Sequence, residues 1–596
     1  MARRNKKFEP DWYRGEIPAD SYRSIFKWGG SEKTRIPGEA FFRVIRQRLG
    51  LFDKDFETYR EDLGLDAVRL TKPSGLSGSQ LNRFWEIAGK KFVRTDDYAR
   101  LSVACGKSMY DLIRMRNKTV ENIPDAVIYP NTKEQIEAIV AYCASERIPL
   151  YVYGGGSSLT RGAECVKGGV SLDMRLRFNK VVGFNEIDQT ITVEAGMNGS
   201  KLEALLNNAE KEFGGKRPYT CGHFPRSFES STVGGWVMTG GSGRNSSYYG
   251  GIRDIVLGGD YATPAGTIST DRYSSNKAAG SDLDQIMVGS EGAFGVLTHV
   301  TLKVFRLYPR ARQFSCVFKD WETAQAAARE IMQGEGGFPS VFRLSDPEET
   351  DILMHAFGVT ENFLGRVLWA RGFRLNKMCL LLGCAGGSKG LSLSAVKNVR
   401  RVAARFEAFL FPGIAAPLWE KDRYSVPYFR DILQDFGFVL DTLECGVCWS
   451  NMGRVYRELY SYVNSLPQTL CMTHVEHMSP QGADLCLTFI TRMRDPEKYR
   501  KFRAGFTDLV VRYDASISGH YGIGKLGGPW LESYLGRNEY AVIRALKRHF
   551  DPGNIMNPGG ALGLDLDEKD KRSWGGLKNE LFFLNSGPPG KQILSS

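Results

Sequence analysis

Glycine, placed where it leaves backbone amides bare, is what most limits how this chain can fold. Between positions 154 and 295 five glycine-marked segments follow one another. They are Gly154-Gly155-Gly156-Ser157-Ser158; Gly222-His223-Phe224-Pro225-Arg226-Ser227; Ser231-Thr232-Val233-Gly234-Gly235-Trp236 with Ser242-Gly243; Tyr249-Gly250 with Asp254; and Gly289-Ser290-Glu291-Gly292-Ala293-Phe294-Gly295. A residue without Cβ lets main-chain N–H groups approach a ligand and converge on an anion. One such run is equally well a tight turn. The ordered set specifies a long anionic cofactor laid along main chain.

The segments between the glycines alternate strand and helix. Ala126 to Tyr129 reads as a strand closed by Pro130, and Thr132 with Gln135 forms a capping box for a helix whose face is Ile136, Ile139, Val140 and Cys143. The next strand, Leu150 to Tyr153, runs straight into Gly154. Val170 to Leu172, Thr190 to Glu194 and Val300 to Phe305 read as strands, and Leu202, Leu205 and Leu206 mark another helix. The first run does not match GxGxxG opening a helix, which disfavours a Rossmann nicotinamide site.

A chain of 596 residues is long enough for several domains. Its division is expected as a helical region over 1–120, a cofactor-binding domain over 121–309, a cap or substrate domain over 310–535, and a C-terminal helical segment and tail over 536–596. In the first, Phe42, Ile45 and Leu49 give Glu39 to Leu49 an amphipathic helical pattern. The 42% hydrophobic content is that of a globular protein, and no run reaches the roughly 18 apolar residues of a membrane helix. The net charge of +12 is spread along the chain without an aromatic-plus-basic module, so nucleic acid is not an expected partner. The basic start, Arg3 to Lys7, lacks the apolar core of an export signal. Eleven cysteines at irregular spacing, with a lone Cys445-Gly-Val-Cys448, suit free thiols in a reducing compartment rather than a disulfide or metal framework. The chain ends Ile-Leu-Ser-Ser, without a Ser-Lys-Leu address. The expected setting is cytoplasmic, with peripheral membrane contact and a homodimer both compatible.

The glycine segments, in this order, resemble the PCMH-type FAD-binding domain of the vanillyl-alcohol-oxidase superfamily. The resemblance implies an α+β protein in which a two-subdomain FAD-binding unit carries an α+β cap, flanked by helical segments. It implies that Gly154, Gly155, Gly156, Ser157 and Ser158 hold the pyrophosphate. Pro225, Ser227, Ser231, Thr232, Gly235 and Ser242 would line the isoalloxazine, and Glu291, Gly292 and Gly295 the adenosine side. The first loop offers serines where some members bond a His or Cys to flavin, so non-covalent FAD is expected.

Within the superfamily the chain is most similar to the alkyldihydroxyacetonephosphate synthase family. The motifs are Lys27-Trp28-Gly29, Pro124-Asp125-Ala-Val, Gly222-His223-x-Pro225, Thr232-Val-Gly-Gly-Trp236, Gly289-Ser-Glu-Gly292, Val341-Phe-Arg343-Leu, Tyr428-Phe-Arg430-Asp431, Asp441-Thr-Leu-Glu444 and Trp449-Ser450. The resemblance implies ether-lipid chemistry: exchange of acyl for alkyl on dihydroxyacetone phosphate, through a flavin N5 adduct. Arg343 and Arg430 are the expected anion holders, since a guanidinium fork binds phosphate or carboxylate bidentately. His520 and Tyr521 are the expected proton handlers.

The departures are local. A Ser-His-His-His-Gly run of the family reads Ser518-Gly519-His520-Tyr521-Gly522 here, and a family tyrosine falls on Cys486, a base only if cations lower its pKa. The same segment resembles the Glu-His-Gly-Ile-Gly step of flavin-dependent D-lactate and 2-hydroxyglutarate dehydrogenases, in which zinc takes ligands nearby. Here Gly519 stands for the glutamate and Cys486 for a ligand histidine, so no metal is expected, with His474 and His477 as hydrogen-bonded strand residues. Oxidation of a 2-hydroxy acid, and a non-catalytic flavoprotein, stand as alternative functions.

Overall fold

The computed structural model describes residues 16–29, 39–52, 55, 62–271, 274, 278–308, 311–356, 358–360, 362–411, 415–424 and 426–574. The expectations for Arg3 to Lys7 and for the C-terminal tail lie outside them. The protein is α+β, built on a small mixed sheet, a five-stranded antiparallel sheet and a seven-stranded antiparallel sheet.

The small sheet runs Val93–Arg94, Ala126–Ile128, Val170–Asp173, Leu150–Tyr153, the last three parallel. A parallel pair needs a crossover, and the helix Lys133–Glu146 provides part of it, burying Ile136, Ile139, Val140 and Cys143. Thr132 caps it by accepting from Gln135 N–H, while the Gln135 side chain takes Asn131 N–H rather than that of Thr132. Leu150–Tyr153 then delivers Gly154 at the carboxyl end of the parallel strands, the edge where open α/β sheets bind ligands.

The five-stranded sheet, in order Val181–Asn185, Thr190–Glu194, Val296–Lys303, Val256–Thr263 and Gly266–Ser269, shares a core with the small one through residues such as Ile139, Leu172, Val193, Leu202, Val237 and Val300. The strand expected over Val300 to Phe305 starts earlier and stops at Lys303. Val304 N–H turns to Gln189 carbonyl, and Phe305–Arg306 pairs with Tyr219–Thr220 instead.

The seven-stranded sheet follows residue 310, in order Phe409–Leu410, Arg312–Phe318, Cys379–Ala385, Val341–Ser345, Leu470–Glu476, Gly482–Arg492, Phe438–Cys448. Side chains alternate across a strand, and this sheet uses the alternation to separate two kinds of surface. Phe314, Phe342, Leu443, Val475, Leu485 and Leu487 face a helical layer that includes Trp321–Gln333, Lys389–Arg405, Trp449–Asn464 and Pro496–Arg512. Each fully buried side chain of that size contributes about 1.5–3 kcal/mol. The residues between them on the central strands, Arg343, Thr442, Glu444, His474, Glu476, Asp484 and Cys486, are buried and polar, and point the other way.

Both flanks are structural parts of this body. Phe42, Ile45 and Leu49 of the Glu39–Leu49 helix bury against Leu433, Phe436 and Leu440. Arg23 and Arg116 converge on Asp435 at 2.8 and 2.6 Å, and Trp28 N–H donates to Asp431 at 2.8 Å. From the other end, Ile555 to Asn557 lie along the edge of Leu150–Tyr153, with Leu150 N–H to Ile555 O and Asn557 N–H to Leu150 O both at 2.8 Å. All eleven cysteines are unbridged, and Cys445 is buried while Cys448 is exposed, as a spacing of three in one strand requires. Among the described residues no helix is long and apolar enough to cross a membrane.

Candidate active site

One cleft of about 1700 Å³, open solvent included, runs between the glycine segments and the polar side of the seven-stranded sheet. Every residue expected at the cofactor lines it: Gly154 to Ser158, Pro225, Ser227, Ser231, Thr232, Gly235, Ser242, Glu291, Gly292 and Gly295. Trp28, Arg226, Arg244, Arg430, Leu440, Thr442, His520 and Tyr521 complete the wall.

The glycines are required for two different reasons. At Gly155 a Cβ would overlap the Ser230 carbonyl, and at Gly154 it would press on Thr232 Oγ1, so the first loop lies main chain against main chain. At Gly292, with φ of +74°, a Cβ would meet nothing within 4 Å, because the adjoining space is the cleft itself. Ser158 Oγ accepts from Gly162 N–H at 3.0 Å and closes the loop. Thr232 caps the Val233–Thr239 helix by accepting from Gly235 N–H. Buried polar atoms without a partner also face this space, among them both ring nitrogens of His223, Nε2 of His520, and guanidinium nitrogens of Arg244 and Arg430. A long groove of bare amides fits FAD, and the unpartnered side chains beyond it leave contacts for a substrate.

Glu291 lines the groove, but its carboxylate works as a strut. It accepts from Ile523 and Gly524 N–H at 2.5 and 2.7 Å, and burial nevertheless pushes its pKa up to about 7, against the pull of those amides. Asn557 Nδ2 donates to the Glu291 carbonyl at 2.7 Å and Lys525 Nζ to Asn557 Oδ1 at 2.6 Å, so the C-terminal return locks this corner.

Across the cleft, a loop and a sheet hold the proton-handling groups. The carboxylate of Glu444 accepts from Ser518 Oγ and from the N–H groups of Gly519, His520 and Tyr521, at 2.6 to 3.3 Å. That fixes the loop which the sequence shows without its family histidines. His520 lines the cleft; its Nδ1 lies 2.8 Å from Asp484 Oδ2, and its Nε2 is buried without a hydrogen-bond partner. A carboxylate on one nitrogen assigns Nδ1 the proton and leaves Nε2 as the acceptor in the neutral ring. Burial works against the imidazolium, but Glu444, the bond to Asp484 and the Asp484 and Glu476 charges outweigh it, and the His520 pKa is raised. Tyr521 sits ring against ring with His520 at 4.2 Å; burial raises its pKa, so it holds its proton.

The two expected anion-holding arginines part company. Arg430 lines the cleft; Nη2 is 3.3 Å from Asp441 without hydrogen-bond geometry, and Nε and Nη2 remain unpartnered. Arg343 does not reach the lining. It is buried between Glu349 at 2.6 Å and Glu476 at 3.4 Å, which makes it a structural ion pair of the cap sheet. Arg226, from the Gly222–Ser227 segment, takes the place in the cleft instead, paired with Glu476 at 2.6 Å and touching His474. Cys486 is fully buried, 3.7 Å from Glu476, and burial followed by that carboxylate pushes its thiol pKa well up, with Arg226 too weak to reverse it. It is no base. His474, on the strand, lies between Glu349 and Glu476. His477, just past the strand, bonds Ser246 Oγ at 2.9 Å, and burial with the nearby His520 charge lowers its pKa. His474, Glu476 and Cys486, then Glu476, His477 and His520, then Glu444, Asp484 and His520 each bring three donor atoms within 4.8 Å, with Glu476 already bound by two arginines.

Sequence reasoning missed Glu444, Glu476, Asp484, Arg226 and Arg244 as site residues. For Glu444, Glu476 and Asp484 the available signal was the two-residue alternation of polar with apolar positions in strands too buried to need it, whereas Arg226 and Arg244 lie in loops and carry no such signal.

Fold and cleft together define an FAD-linked oxidase-type flavoprotein, and sequence profiles agree: one described as "FAD binding domain" matches residues 124–271, and one described as "FAD linked oxidases, C-terminal domain" matches 309–561. The alkyldihydroxyacetonephosphate synthase of Dictyostelium discoideum is 30% identical over 487 residues, 78% of each chain. A solved alkyldihydroxyacetonephosphate synthase superposes with a TM-score of 0.69 at 27% identity, over 82% of this chain and 87% of that one. A mitochondrial D-lactate dehydrogenase (cytochrome) of Arabidopsis thaliana is 25% identical over 74% of this chain and 73% of its own. This chain belongs to the alkyldihydroxyacetonephosphate synthase family.

Proposed function

We propose that the chain replaces the acyl group of acyl-dihydroxyacetone phosphate by a long-chain alkyl group, with FAD held non-covalently. The single observation that carries this is His520, a cleft-lining residue whose Nε2 has no hydrogen-bond partner while Asp484 and Glu444 fix the ring and its loop. The Gly154 to Ser158 amides would hold the pyrophosphate, and Pro225, Ser227, Ser231, Thr232, Gly235 and Ser242 would hold the ring. FAD would supply an electron-accepting ring that activates the substrate carbon. His520 Nε2 takes the proton from that carbon and returns one after exchange, and Arg430 orients an anionic group. Tyr521 keeps its proton and serves as a hydrogen-bond donor. Acyl-dihydroxyacetone phosphate and an alcohol go in, and ether product and a fatty carboxylate with one proton come out, so electrons balance without net oxidation.

The lipid substrate suits peripheral docking at a membrane. Phe363 and Trp369, 80% and 66% exposed on the helix Phe363–Ala370, lie near Arg371 and Arg374 in sequence, and support that reading. The test is incubation of FAD-loaded protein with acyl-dihydroxyacetone phosphate and hexadecanol. Ether product with matching fatty acid release is expected; absence of both overturns the proposal. The dehydrogenase relatives support a second reading, oxidation of a 2-hydroxy acid, for which anaerobic bleaching of the flavin by D-lactate is the discriminating result.

A further inference from the structure

Arg244 is the one cleft-lining guanidinium that the structure leaves without a carboxylate among the described residues. It is 7% exposed; its backbone N–H is anchored on Phe224 O at 3.0 Å, and its Nε and Nη1 have no hydrogen bond. Its carbon Cζ lies 5.0 Å from the Trp419 ring and 5.8 Å from the Tyr424 ring, on and just past the helix Ala415–Asp422. The Tyr424 hydroxyl is also buried and unpartnered. Arg226 and Arg343 lie close enough to act on Arg244 electrostatically, and those two share Glu476 and Glu349. The charge of Glu476 reaches Arg244 as well, but that carboxylate is bound by Arg226 and Arg343, and Arg244 alone of the three has no carboxylate in ion-pair contact among the described residues.

A buried charge persists only when paired, and a guanidinium beside a hydroxyl, backed by an aromatic wall, presents donors to an oxyanion. We propose that Arg244 and Tyr424 form the subsite for the phosphate monoester of the substrate, separate from Arg430, whose neighbour is Asp441. Arg244 then sets specificity: it selects a phosphorylated three-carbon substrate over its neutral counterpart. The subsite rests on the proposed function for the identity of the phosphorylated compound, but not on the exchange reaction.

The experiment titrates FAD-loaded protein with dihydroxyacetone phosphate, dihydroxyacetone and palmitate, reading the flavin difference spectrum, for wild type, Arg244→Met, Arg244→Lys and Tyr424→Phe. Wild type is expected to bind the phosphate compound and not dihydroxyacetone. Arg244→Met should weaken it by roughly 100-fold or more and Tyr424→Phe by about 5- to 10-fold, with FAD content and the ligand-free spectrum unchanged. Arg244→Lys should retain part of the affinity. Equal binding by wild type and variants overturns the subsite. So does loss or spectral change of FAD before ligand is added, which would assign Arg244 to the cofactor, and so does Arg244-dependence of palmitate alone, which would assign it to the leaving carboxylate. Should Arg244→Met fail to fold, Tyr424→Phe and Arg244→Lys still decide. Arg244-dependent phosphate binding without ether formation would sink the exchange reaction and leave the subsite standing.

Discussion

The two walls of the cleft are built by opposite means. One is main chain: Gly154 to Ser158, Thr232 to Gly235 and Gly289 to Gly295 offer amides on loops pressed against one another, and side chains contribute by being absent. The other is side chain: Arg226, Arg430, Thr442, His520 and Tyr521 line it, backed by the buried Arg343, Glu444, Glu476, Asp484 and Cys486 of four strands, and Glu444 grips the loop that carries His520. A wall of amides tolerates little change of shape and much change of charge. A wall of paired charges behaves in the reverse way.

The largest effect expected from breaking this contrast is on chemistry. His520→Asn should lower the rate of product formation by about 10²–10⁴-fold, the worth of a positioned proton carrier, while FAD content measured by absorbance stays at the wild-type ratio. An equal loss of FAD would show that the two walls are not separable. Gly155→Ala should do the opposite. The main chain must move away from Ser230 to avoid a strain of about 1–3 kcal/mol; FAD binding, which needs the loop in place, then bears that cost and the FAD Kd rises ~5- to 150-fold, while apoprotein stability falls only by the strain the movement leaves unrelieved.

Asp484→Asn tests the pairing that raises the His520 pKa. The neutral ring is the base, so the acid limb of kcat/KM lies above the ordinary imidazole value of about 6.5 and should move to lower pH in the variant, with a rate loss of roughly 10²-fold. For stability the sign is reversed. A raised folded pKa means that the pair's contribution is fully present below about 6.5 and is lost as pH rises through the folded value, which urea midpoints against pH will show. Smallest of all is Cys486→Ser, expected to change the rate less than about twofold, since burial keeps the thiol protonated and out of the reaction. A large loss there would return Cys486 to the chemistry.

The contrast also explains what could be read in advance. The amide wall is local: each glycine announces a bare stretch of backbone, so the residues expected at the cofactor, from Gly154 to Gly295, can be picked from the sequence and all line the cleft. The helix from Lys133 and its buried face were legible for the same reason, periodicity and a cap within one segment. The charged wall is non-local. Nothing near Arg343 in sequence says that Glu476 will claim it, or that Arg226 will stand in the cleft, because Glu476 is placed by the register of Leu470–Glu476 against its neighbours. His520 was found through its motif. Its carboxylate, Asp484, lies 36 residues earlier and was visible only as one polar position in an alternating strand.

The strand that feeds the first glycine loop has Met556 as a neighbour 406 positions further on, and Gly524 packs on Thr160 of the same loop. Contacts of such separation form late, because a long loop must close before they can stabilise anything. During synthesis the groove is therefore incomplete until the segment from Gly524 to Asn557 has emerged. A nascent chain halted before Gly524 should accordingly emerge folded in parts, yet colourless.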